Sequence, residues 1–147
     1  TLPAVIPAEL QRAESGVYVA AFENPGRKPR GRVGSYLPTR STLAEEIHAQ
    51  AYHLATTYPF RKQDLPYLTF EVMLTKSPRF LADIADLRPT AGLLVRTSAG
   101  RTAVSLPQAR EREPAARLQE ACEREGIDAG EMDIRLYEFP IEVLREE

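Results

Sequence analysis

Tryptophan is missing from this 147-residue chain, cysteine occurs once and histidine twice, and each scarcity removes a class of function. A lone Cys122 cannot close an internal disulfide, and one thiol with two imidazoles is too few for the usual structural zinc site. No metal site and no cofactor is therefore expected, and a reducing, cytoplasmic setting is the simplest one. No apolar run approaches the roughly 18 residues of a membrane helix, so no membrane association through such a helix is expected. An excess of one charge is missing as well. Nineteen Lys plus Arg face twenty-one Asp plus Glu, a formal net charge of −2, so no global field pulls the chain toward nucleic acid or anionic lipid. Any such attraction has to be local, and the stretch "PRGRVGSY" at 29–36 is the place to look for it.

The length fits one domain over residues 1–147, with no internal repeat, low-complexity tract or linker. The proline-bearing opening reads as an extended lead-in with one helical turn at 8–13. "GVYVAAF" (16–22) is β-branched and aromatic, and "ENPGRKP" after it has the residues of a reversal, so a hairpin is expected with its return strand at 30–36. Gly31 and Gly34 in that strand mark bulges or close backbone approaches. The clearest helix is "STLAEEIHAQAYHLATT", with Thr42 as N-cap, Glu45 three residues on, and an apolar stripe of Leu43, Ile47, Ala51 and Leu54. "YLTFEVMLT" (67–75), bracketed by Pro66 and Pro78, reads as a central strand buried on both faces. Two apolar runs around "TSAGR" predict a second hairpin with Gly100 at positive φ. A second helix follows Pro114 and stops at Gly126, with Leu118, Ala121 and Cys122 on one face. "MDIRLYEFPIEVL" closes the chain as one alternating strand, with Ile134 and Leu136 facing away from Arg135 and Glu138. Five or six strands and two long helices give an α+β fold on a largely antiparallel sheet.

The candidate ligand- or partner-binding residues are Arg30, Gly31, Arg32, Gly34, Ser35 and Tyr36. Backbone N–H groups near the two glycines, the Ser35 hydroxyl and the guanidinium forks have the chemistry of an anion site. A twisted strand with a solvated basic face, Arg30 and Arg32 on one side and Val33 on the other, explains the same residues. "GRVG" matches the Gly-x-x-Gly loop of KH-type RNA binders, but that loop joins helices and this one lies among strands. The acid-free cluster Arg27, Lys28, Arg30, Arg32 and Arg40 has the charge to meet phosphates, yet basic residues also guard edge strands against aggregation. His48 and His53 stand five apart on the first helix and cannot chelate one metal from a shared face. Glu45 and Glu46 suit the helix dipole, Cys122 suits the core, and Gln108 can offer an amide or simply form a polar turn.

In order and spacing, "GVYVAAF", "PRGRVGSY", "TLAEEIHAQAYHLAT", "DLPYLTFEVMLTKSP" and "SLPQAREREPAARLQEACEREGI" resemble the AMMECR domain family over residues 16–143. The resemblance implies two unequal lobes. It also implies a partner, a Memo-like or a radical-SAM protein, from the family's genetic associations. The family has no settled activity, so the reaction stays open. At the position of the cysteine in the family's Leu-Arg-Gly-Cys-Ile-Gly signature stands Arg32, and at its leucine stands Pro29, so thiolate chemistry cannot operate there. The helix that precedes "GVYVAAF" in the family is not evident, which leaves an apolar surface for a partner, and the tryptophan that often follows Leu-Pro-Gln is missing.

The reading that follows is a non-catalytic binding or accessory domain docking a protein partner through its basic signature strand. The alternatives are an enzyme in which Arg30 and Arg32 orient a small anionic substrate, and nucleic-acid binding, which the neutral charge balance argues against. The oligomeric state is left open.

Overall fold

The structure, a computed structural model, describes residues 16–107, 112–130 and 133–145; the turn expected at 8–13 and the Gln108 amide lie outside these residues. In chain order the elements are β1 (Val17–Glu23), β2 (Lys28–Ser35), α1 (Leu43–Thr57), β3 (Leu68–Thr75), β4 (Arg79–Leu81) and β5 (Gly92–Arg96). There follow β6 (Thr102–Ser105), α2 (Pro114–Glu125), β7 (Arg135–Phe139) and β8 (Ile141–Arg145). The class is α+β, as expected. The strands, however, form two four-stranded sheets, ordered β2-β1-β3-β8 and β4-β7-β5-β6.

The expected single closing strand is two strands in different sheets. Pro140 separates them: it has no N–H to give a ladder and its ring fixes φ, so pairing stops there and β8 joins the first sheet. The chain accordingly divides into two compact units. One ends at Thr75 and regains the chain from Glu142; the other is Lys76–Ile141.

In the first unit, β1 pairs antiparallel with β2 and β3, which puts β3 inside its sheet as expected. Val17, Val19 and Ala21 alternate onto one face and bury against Val33, Leu43, Leu54 and Leu74. Thr42 caps α1 by accepting from Glu45 N at 3.1 Å. The buried stripe of α1 differs from the expected one. Ala51 is exposed, Ile47 only borders the core, and the polar Glu46 and Gln50 are buried beside Leu43 and Leu54.

In the second unit, α2 begins at Pro114 and ends where Gly126 takes φ +68°, the left-handed conformation glycine adopts without a Cβ penalty. Ala121 and Cys122 pack with Leu93, Val95 and Ala103 of the β5–β6 hairpin, whose turn closes through Gly100 N to Thr97 O with Gly100 at φ +86°. Glu138 was expected on the face opposite Leu136. Register places both on the face that carries Leu93 and Leu81, and Glu138 is fully buried there. Its carboxylate tolerates burial because Arg79 Nη2 donates at 2.7 Å, Arg88 N at 2.8 Å and Arg88 Nε at 3.0 Å. Arg117, a further buried charge, donates to Ser105 Oγ, Ser105 O and Ala91 O at 2.8–3.0 Å.

Candidate functional site

The signature residues lie on β2, an edge strand. Register runs Val17↔Ser35, Val19↔Val33 and Ala21↔Gly31, then shifts between Ala21 and Phe22, so Arg30 is an extra residue of a β-bulge. The bulge changes the expected shared face of the two arginines. Arg30 turns toward the α1 side of the sheet, where its Nη1 meets Glu23 Oε2 at 2.5 Å and its guanidinium stands 5.9 Å from the Phe60 ring centre. Arg32, paired with Ala20, is exposed on the other side.

The glycines are committed to packing. A Cβ on Gly31 would sit 2.7 Å from Cδ2 of Tyr58, whose hydroxyl donates to Arg32 O at 3.3 Å. Gly34 adopts φ +155°, and a Cβ there would lie 2.5 Å from Val17 O. The expectation of close backbone approaches is met at both. Ser35 Oγ donates to Leu37 O at 2.8 Å, and the carbonyl of half-buried Tyr36 accepts from Thr75 Oγ1 at 3.1 Å. Burial pushes the Tyr36 phenol above its ordinary value. Arg27, at the mouth of the hairpin, pairs with Glu71 at 2.6 Å and covers the Phe22 ring at 4.4 Å.

The strand is pinned at its far end by a residue read only as a first-turn acid. Glu46, 1% exposed, accepts from Thr39 N, from Thr39 Oγ1 at 2.6 Å, from Arg40 N at 3.1 Å and from Gln50 Nε2 at 3.5 Å. Burial alone would raise its pKa; these hydrogen bonds outweigh burial and hold the carboxyl below its ordinary value. The signal was in the spacing: positions 43, 46, 47, 50 and 54 form one helical stripe, and polarity alone hid two of them.

The groups considered for proton or thiol chemistry stand as follows. His48 borders an open depression of about 470 Å³ with Arg40, Glu45, Ala49 and Tyr52, and neither Arg30 nor Arg32 lines it. His53 Nδ1 lies 3.5 Å from Gln50 Oε1. Cys122 is 1% exposed; burial, and then the charge of Asp128, push its thiol up, which disfavours the thiolate.

A family model described as AMMECR1 matches residues 3–144. The chain belongs to the AMMECR1 family. It is similar to a Thermotoga maritima protein, described only as "Protein", at 28% identity over 142 residues, spanning 93% of this chain and 81% of that one. Its fold is similar to that of the uncharacterized protein PH0010 from Pyrococcus horikoshii, with a TM-score of 0.80 and 23% identity over all of this chain and 80% of that one. Among the described residues, no helix is long and apolar enough to cross a membrane.

Proposed function

We propose that the chain is a non-catalytic docking domain that recognises an acidic surface of a protein partner through the exposed edge of β2. The observation that carries the reading is the exposure of Lys28 and Arg32 on an edge strand whose glycines are filled by packing. A cation presented on a rigid strand favours charge-complementary recognition, and the segment carries no nucleophile of thiol type. The partner class implied by family association, a Memo-like or radical-SAM protein, is the first to try.

The test is titration of the chain with such a partner, each purified from one host. Lys28→Glu and Arg32→Glu together should weaken association at least tenfold and flatten its salt dependence, while Arg30→Ala changes it little. Equal affinity of the double variant, or no association with either partner class, would sink the proposal.

A further inference from the structure

A second basic site lies in the other unit, where nothing in the sequence draws attention to it. Register sets Arg96 of β5 directly opposite Arg135 of β7. Directly opposed side chains have Cβ atoms about 5 Å apart, and like charges in that position repel. Both are exposed, and neither side chain makes an ion pair or hydrogen bond among the described residues. By contrast, Arg79 and Arg88 of the same unit share Glu138. The two opposed arginines border an open cavity of about 490 Å³ with Thr97, Ser98, Asp133 and Tyr137. That volume is within the usual range for small-molecule sites.

The remaining lining groups have distinct chemistry. Thr97 Oγ1 accepts from Arg101 N at 3.1 Å, leaving its own proton to donate. Ser98 Oγ donates to Asp133 Oδ2 at 2.6 Å, which fixes the carboxylate against the hairpin turn. Tyr137 meets Phe80 edge to face at 6.1 Å, and Phe80 is 62% exposed. Two guanidinium forks and a hydroxyl suit a doubly charged phosphoryl group, whose negative charge removes the repulsion between the arginines. Asp133 suits a hydroxyl donor of the same ligand, and the aromatic pair suits a flat ring.

We infer that Arg96 and Arg135 form the phosphate end of a small-molecule site for a phosphomonoester carrying a sugar-like hydroxyl and an aromatic ring, the chemistry of a nucleoside monophosphate. The experiment is calorimetric titration of the whole chain with adenosine 5′-monophosphate, with adenosine and with inorganic phosphate. Saturable binding of the monophosphate, at least tenfold tighter than either fragment, is the expected result. Arg96→Ala/Arg135→Ala should weaken it at least tenfold, and Tyr137→Leu should lower affinity for the monophosphate without altering that for phosphate. Circular dichroism melts check that the variants stay folded, and Arg96→Lys, which keeps charge but loses the fork, should fall in between. No saturable binding, or equal binding by the folded double variant, overturns the inference.

Discussion

Two basic regions of this molecule look opposite in sequence and in structure. Along the hairpin turn and β2 four cations crowd residues 27–32 without an intervening acid, yet Arg30 is matched by Glu23 of the adjacent β1 and Arg27 by Glu71 of β3, one strand further in. Arg96 and Arg135 stand far apart in sequence, draw no notice there, and are brought face to face with neither side chain in an ion pair among the described residues. Density of charge along a chain is thus a poor measure of charge left over for a ligand. Pairing across strands decides it, because the partner one strand away is nearer than the next residue but one on the same face.

The comparison breaks most sharply at Gly31. If the signature glycines were ligand-cradling, a methyl group there would disturb binding alone. Packed as Gly31 is under the Tyr58 ring, Gly31→Val is expected to cost about 2–3 kcal/mol by overpacking, read as a fall in the denaturant midpoint. Tyr58→Ala in the same background should return part of that loss, a coupling that a double-mutant cycle measures.

Next in size is Glu46, which holds the end of the signature segment. Glu46→Ala leaves the Thr39 and Arg40 amides to find other acceptors and is expected to cost about 2 kcal/mol. Glu46 and Glu138 both have folded pKa values below the ordinary 4.5, Glu138 because the hydrogen bonds from Arg88 and Arg79 outweigh the opposing effect of burial. A depressed carboxyl contributes stability above its unfolded pKa and loses it as pH falls toward the folded value. Thermal stability should therefore drop as pH is lowered below about 4.5, and the drop should shrink in Glu46→Gln and in Glu138→Gln. An acid limb identical to that of the parent chain in both variants would contradict this assignment. Smaller still is Arg30→Ala, whose partly exposed pair with Glu23 is expected to contribute about 0–1 kcal/mol.

Most of the fold was legible because its determinants are local. β-branched runs, the Thr42 cap, the Gly100 turn and the Gly126 stop each act within a few residues. What escaped was set by long-range pairing. Pro140 was read as a residue inside a strand, since no local pattern says that its two sides belong to different sheets. Glu46 was read as a first-turn acid, Glu138 as facing away from Leu136, and Gln50 and Arg117 were not marked as buried, although helical or strand spacing put each on a buried face, because most of the donors and acceptors that make their burial tolerable come from other segments. The signature stretch was visible as a basic strand, but the bulge that parts Arg30 from Arg32 depends on the register with β1.

An effect of similar small size tests the other half of the comparison. If Arg96 and Arg135 repel across β5 and β7 in the unliganded chain, Arg96→Gln should stabilise it, by roughly 0.2–1 kcal/mol at low ionic strength. Since both side chains are exposed, the gain should fade as salt rises and the Debye length shrinks from about 30 Å at 0.01 M to about 3 Å at 1 M. The corresponding change on β2, Arg30→Gln, removes an attraction instead and should shift stability in the opposite direction over the same salt series. Opposite signs that converge at high salt would establish that one arginine set is balanced within the fold and the other is not. The same sign for both would mean that the β5–β7 pair has found a counter-charge, and with it the reason to look there for a phosphate ligand would go.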